Sequence, residues 1–446
     1  MAFFRTVFSI AGLMNFALAQ DAAEVARLIA ASQAGSPRLL FQVEGSSIPS
    51  IQPSSFSHPE ETTTRGGIPN ALKKLEAGEA VTLAYLGGSI TRADGYRPLS
   101  AKWIQERYPK AKVRGVNAGV SGTPTDLGAL RVGEQVLAFK PDLVFVEFAV
   151  NGGTVEAMEG IVRQIWKRDP SIDIVFVYTI IEAWWKGYAE GVLPKSVVDY
   201  DRVAAHYGIP SIHMAREVSE LCKSGAVVFK GTEASAAGRI VFSTDGVHPY
   251  DRAGARFYAA AIARGFQKLA GVGKPGPHGL AKPLTEDPWE DATMLPPEKA
   301  VLSAGWKKVD PSSVPLLAAY KGWFEQIYTA EAPGERIAFR FRGKGFGLFD
   351  VGAPEVGQLR ITVDGREEKP LNRFGVNCNN RSRGQYAFLP LPDGEHQVIL
   401  AIDPEIPDKK AILGPNQQAD IGAHPEKYDR RAIYLGRILL RGTLLD

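Results

Sequence analysis

Only two cysteines, Cys222 and Cys378, occur in 446 residues, so no disulfide framework holds this chain together and at most one bridge can form within it. Cysteine and histidine pairs at metal-ligand spacing are also missing, which argues against a structural zinc and gives no reason to expect a metal or other cofactor. Charge of one sign is scarce: 52 basic and 49 acidic residues leave a net +3. The two signs are mixed along the chain, and no basic block offers a track for nucleic acid. Beyond residue 20 no run reaches the ~18 uninterrupted apolar residues that span a bilayer. Apolar side chain, by contrast, is plentiful: 45% of residues are hydrophobic and 23% charged. That is enough for two cored domains and too apolar for wholesale disorder.

The first twenty residues place Arg5 before an apolar run from Thr6 to Leu18, broken by Ser9, Gly12 and Asn15 and closed by Ala17-Leu18-Ala19. This pattern reads as a secretory signal over 1–19, which makes the expected location secreted or periplasmic. An N-terminal arm is expected over 20–75. Its stretch 45–67 is rich in Ser, Thr, Pro and Gly without apolar period and should lie irregularly on the surface.

From Val81 the pattern changes. Val81–Leu86, Leu143–Val150 and Ile174–Ile181 are nearly continuous apolar runs bounded by turn signals, as in parallel strands covered on both faces. A shorter strand is expected at Lys112–Val116. Between them Leu99, Trp103 and Ile104, then Ile161, Ile165 and Trp166, have helical spacing. The clearest helix runs from Gly254 through Phe257, Tyr258, Ala261, Ile262 and Phe266 to Leu269. Strand and helix in alternation imply an α/β domain of three layers, α/β/α, with a parallel sheet, over 76–272. A linker rich in proline is expected over 273–300. Beyond it Ile337–Arg342, Leu359–Gly365 and His396–Ile402 alternate apolar with polar residues, which predicts an antiparallel β-sandwich, jelly-roll-like, over 301–446.

Four short segments carry residue types suited to chemistry. Gly87-Gly88-Ser89-Ile90-Thr91 stands where a buried strand should turn into a helix, a place where glycines permit a tight turn and leave a hydroxyl exposed. A turn serine or a phosphate-cradling loop fits the same residues, although the lysine of a Walker motif is missing. Asn117-Ala118-Gly119-Val120-Ser121-Gly122-Thr123 can offer a backbone N–H to a developing oxyanion, and Asn151 a carboxamide; each also reads as an ordinary turn. Thr244-Asp245-Gly246-Val247-His248-Pro249 sets a carboxylate three residues before an imidazole, the pairing that fixes a tautomer for proton transfer.

In this order the four segments resemble the SGNH (GDSL-like) hydrolase superfamily over roughly 80–269. The resemblance implies Ser89 as nucleophile, His248 as base and Asp245 as its orienting carboxylate. It implies an oxyanion hole from the Ser89 and Gly122 N–H groups and the Asn151 side chain. Two positions depart from the family pattern: Gly88 stands where an Asp usually precedes the serine, and Gly152 where an Asp usually follows the asparagine.

The implied reaction is ester hydrolysis through an acyl-enzyme, and the expected substrate an oligosaccharide or polysaccharide bearing O-acyl, chiefly O-acetyl, groups. Trp184 and Trp185 could stack on sugar rings or serve as packing. Arg373 and Arg381, in a polar cluster with Asn377, Asn379 and Asn380, could line the cleft or form a solvated loop. A lipid esterase or thioesterase, and a non-catalytic carbohydrate-binding protein on the same scaffold, remain open alternatives.

Overall fold

The computed structural model of the protein describes residues 40–250, 253–379, 383–415 and 418–446. The proposed signal over 1–19 and Arg381 lie outside the described residues.

The first sheet contains β1 (Leu40–Gln42), β2 (Thr62–Thr63), β3 (Ala80–Gly87), β4 (Lys112–Gly119), β5 (Leu143–Glu147), β6 (Asp173–Tyr178) and β7 (Ser211–His213). They lie in the order β1-β4-β3-β5-β6-β7-β2. The five central strands run parallel, and every residue of β5 and β6 is buried, the two-sided covering that their apolar runs predicted. The sheet is nevertheless mixed rather than wholly parallel, because β1 and β2 pair antiparallel at its two edges. Both come from the N-terminal arm expected over 20–75, and β2 from the stretch of it expected to be irregular. Strands of two or three residues leave no period to read, yet they satisfy edge groups that would otherwise be free to pair with another chain.

Helices α1 (Pro69–Ala77), α2 (Ser89–Arg92), α3 (Tyr96–Arg107), α4 (Thr125–Gln135), α5 (Val155–Arg168), α6 (Trp185–Ala189), α7 (Lys195–Tyr207), α8 (Arg216–Lys223) and α9 (Gly254–Leu269) complete this part. Helix α5 illustrates why they form. Thr154 caps it by accepting from the Ala157 N–H, Glu156 sits in its first turn and Lys167 and Arg168 in its last, each sign matched to the helix dipole. Its buried face is Ala157, Met158, Ile161, Val162, Ile165 and Trp166. No helix among the described residues is long and apolar enough to cross a membrane.

Two short parallel strands, β8 (Val227–Lys230) and β9 (Ile240–Ser243), lead into the Asp245–His248 loop. After α9 the chain crosses the back of α5 without regular structure but under firm restraint. Buried Glu159 accepts the N–H groups of Leu284 and Thr285 at 2.6 and 2.8 Å, and Arg163 pairs with Glu290 at 2.6 Å.

The second sheet has ten strands: β10 (Ala292–Leu295), β11 (Val301–Leu302), β12 (Lys307–Val309), β13 (Ile327–Ala330), β14 (Arg336–Gly352), β15 (Gln358–Val363), β16 (Arg366–Glu367), β17 (Leu371–Asn372), β18 (Arg383–Ile402) and β19 (Ile433–Leu445). Strand β10 thus starts inside the stretch expected as linker. All pairings are antiparallel.

The sheet folds over on itself. Phe339 and Phe346 are seven residues apart on β14, which a straight strand would separate by roughly 23 Å, yet their ring centroids are 5.8 Å apart. The bend falls at the irregularity between Gly343 and Gly345. There a β-carbon on Gly343 would meet the Arg441 carbonyl oxygen at 1.9 Å.

Beyond the bend β14 is buried on both faces. Phe346 and Leu348 fill the second sheet's own core, while Phe349 and Val351 join Leu317, Tyr320, Trp323 and Phe324 in the core that continues into the first sheet. Arg437 of β19 reaches across to Glu134 of α4, donating from Nε at 2.9 Å. Cys222 and Cys378 do not pair with each other.

Candidate active site

Strand β3 ends at Gly87, Gly88 turns the chain, and Ser89 opens the single-turn helix α2. Ser89 is 9% exposed, and its Oγ lies 2.7 Å from Nε2 of His248, although 159 residues separate them. His248 Nδ1 lies 2.6 Å from Oδ2 of Asp245. The other Asp245 oxygen accepts the backbone N–H groups of Val247 and His248, both at 2.8 Å, and the Ser243 hydroxyl at 3.1 Å. The loop therefore organises itself around one carboxylate. Burial disfavours charge on Asp245, but its bonds to His248 and the two amides outweigh this and hold the carboxyl far below its ordinary range. An ionised Asp245 accepts a hydrogen bond from Nδ1–H and so holds the proton on that nitrogen, which leaves Nε2 with the lone pair that faces the serine hydroxyl.

The glycine loop and Asn151 crowd the same turn. The Val120 N–H donates to the Gly87 carbonyl at 3.0 Å, drawing the loop with Ser121 and Gly122 against Ser89; Gly122 has φ +69°. The Thr125 N–H donates to the Gly152 carbonyl at 3.1 Å and ties this loop to the Asn151 turn. Asn151 packs on the bare α-carbon of Gly88, and its buried Oδ1 has no hydrogen-bond partner among the described residues.

Several residues at this edge were not singled out from the sequence. Asn117 donates to the Arg92 carbonyl at 3.1 Å and accepts the Gly119 N–H at 3.1 Å, joining the glycine loop to α2. Arg131 of α4, fully buried, donates to the carbonyls of Gly87 at 2.9 Å and Ala118, and to the Gln135 side chain at 3.0 Å. Burial lowers its pKa to about 9. Glu147, the last residue of β5, accepts the Thr91 and Thr179 hydroxyls at 2.9 and 2.6 Å. The one available signal for it was a charge inside an otherwise apolar run.

Three of the four residues expected to contact substrate lie among the described residues. Trp184 and Trp185 are partly buried and pack on the main core. They follow Glu182, whose N–H donates to the Gly246 carbonyl at 2.8 Å, so this segment borders the Asp245–His248 loop. Arg373 departs from the solvated cluster expected of it. It is 5% exposed and gives a bidentate pair to Asp350 at 2.8 and 2.6 Å, because a buried guanidinium needs a carboxylate to offset lost hydration. Arg381 lies outside the described residues.

No protein-family model and no curated protein matches this sequence. Solved structures do. One, a two-domain esterase active on acetylated mannans, co-crystallised with mannopentaose, is 21% identical with a TM-score of 0.64; the match covers 86% of this chain and 97% of that one. This is the fold of a two-domain esterase. A second structure of a two-domain esterase active on acetylated mannans gives a TM-score of 0.65 at 20% identity, covering 86% of this chain and 98% of that one. The likeness to these two structures is one of fold, and it spans both sheets. An acetylxylan esterase from Geobacillus stearothermophilus, 19% identical, matches 43% of this chain and 96% of its own, with a TM-score of 0.34.

Proposed function

We propose that this chain is a secreted serine esterase that removes O-acyl groups, acetyl foremost, from oligosaccharides or polysaccharides. The observation that carries the reading is the relay Ser89 Oγ to His248 Nε2 at 2.7 Å and His248 Nδ1 to Asp245 at 2.6 Å. In the proposed mechanism His248 takes the Ser89 proton as Oγ bonds to the ester carbonyl carbon. The carbonyl electrons move onto oxygen, and the sugar leaves with the proton that His248 returns. Water, activated by the same imidazole, then releases acetate and restores the serine.

The negative oxygen would be met by the Ser89 and Gly122 N–H groups and the Asn151 carboxamide. Support for Asn151 comes from its place: its side chain packs on Gly88, the residue before Ser89, which sets an amide able to donate beside the nucleophile. Carbohydrate as substrate is supported by the two-sheet fold shared with esterases active on acetylated mannans. Export rests on the residues 1–19 pattern alone.

The test is acetate release from acetylated mannan and xylan oligosaccharides, alongside 4-nitrophenyl acetate and octanoate, for the wild type and Ser89→Ala. Acetyl esters should be preferred, and Ser89→Ala should lose roughly 10⁴-fold or more in kcat while melting like the wild type. Turnover surviving in Ser89→Ala overturns the serine assignment, and preference for octanoyl esters overturns the carbohydrate one.

A further inference from the structure

Glu147 has no solvent exposure, and the relay described above does not use it. It ends β5 at the same sheet edge where Ser89 and His248 meet. Its contacts are donors: the Thr91 hydroxyl at 2.9 Å, the Thr179 hydroxyl at 2.6 Å and the Gly88 backbone N–H. Thr91 in turn lies 2.7 Å from the Tyr96 hydroxyl, which can donate into Thr91 while Thr91 donates onward. Burial pushes the Glu147 carboxyl above its ordinary range, and the bonds from Thr179, Thr91 and Gly88 oppose that; a backbone N–H can only donate, so this set of partners fits a carboxylate. Burying an ionised carboxylate without a fixed cation is expensive, and such groups gather where reactions need them.

The ionisable groups facing Glu147 are Tyr96 from α3, Tyr200 from α7, Tyr258 from α9 and His248 from its loop. Burial holds the three phenols above their ordinary range, which leaves them neutral. His248 is the member of this set that becomes a cation during turnover.

We infer that Glu147 is a positioning residue: its buried carboxylate fixes the Gly88–Thr91 turn beneath Ser89 and favours the protonated imidazole of His248 that forms as the serine attacks. The inference rests on the serine-esterase reading above. As the Ser89 O–H bond breaks and the proton moves to Nε2, positive charge appears on an imidazole in contact with Asp245 and within the field of Glu147. No further reactant is needed. The threonines serve both ends of the device, since Thr91 belongs to the serine's own helix and Thr179 directly follows β6. The Glu182–Trp185 segment that borders the Asp245–His248 loop follows shortly after.

The experiment is the pH dependence of kcat and kcat/KM for 4-nitrophenyl acetate in the wild type, Glu147→Gln, Glu147→Asp and Thr179→Val, each with a melting curve. Glu147→Gln should lower kcat about tenfold with KM nearly unchanged. With one negative charge fewer, its acid limb should move to lower pH by about half a unit. Thr179→Val, which removes a donor and keeps the charge, should retain the wild-type limb even where it melts earlier. An acid limb unmoved in folded Glu147→Gln overturns the inference. Should that variant not fold, Glu147→Asp decides: a reduced kcat on a wild-type limb supports the role, and an unchanged kcat overturns it. A wild type inert toward every ester would instead sink the serine-esterase reading itself.

Discussion

A β-carbon built on Gly88 would stand 1.8 Å from Oδ1 of Asn151 and 2.5 Å from its Cγ. Glycine at this position, where the family that the motifs resemble usually has an aspartate, therefore has a steric meaning: Asn151 occupies the volume a side chain would need. Gly88→Ala must push the carboxamide aside. It should cost about 10²-fold in kcat on acetyl esters, the scale of losing one oxyanion donor. If displacement of Asn151 is the cause, the same change in an Asn151→Ala background should add little, since the two act on one group. Additive losses in that double-mutant cycle would reject the steric account.

Arg131 clamps the backbone just before the serine turn and just before the glycine loop, through Gly87 and Ala118. Arg131→Met keeps the length and removes both donors, so Ser89 and Gly122 lose their fixed separation. The expected result is a fall in kcat of about tenfold or more, ~1.4 kcal/mol of barrier per tenfold, with KM little changed. Wild-type kcat in a folded Arg131→Met protein would mean the clamp is only structural.

His213, at the end of β7, is 5% exposed. Burial, aided by the nearby Arg216 charge, lowers its pKa from 6.5 to about 4. The folded protein refuses a proton that the unfolded chain accepts below pH 6.5, so the contribution to stability is whole above that pH. It drains away as pH falls toward 4, by up to about 3 kcal/mol. Melting temperature against pH should thus be flatter for His213→Gln than for the wild type across that interval. Parallel curves would remove His213 from the account.

The sequence made local and repeated features legible and left tertiary partnerships hidden. Asp245 and His248 could be paired because three residues bring them into one loop, and the Gly88–Ser89 turn because an apolar run stops there. Strands β3, β5 and β6 announced themselves by burial on both faces. Glu147 did not, because one acid in an apolar run reads as a strand end; only the folded chain sets Thr91 and Thr179 around it. Arg373 looked solvated because its neighbours in sequence are polar, whereas its partner Asp350 lies 23 residues away on β14. Strands β1 and β2 are too short to carry a period, and their pairing is decided by the edges they cover.

The far half of β14 has a consequence for how this protein can be divided. Because Phe349 and Val351 serve the core of the first sheet while Phe346 and Leu348 serve that of the second, neither half is a cassette with a finished surface. A cut near residue 280 would leave the α/β fragment with a raw greasy wall where Tyr320, Trp323 and Phe324 had stood. Recombination, in nature or in the laboratory, has to carry the two sheets as one inheritance.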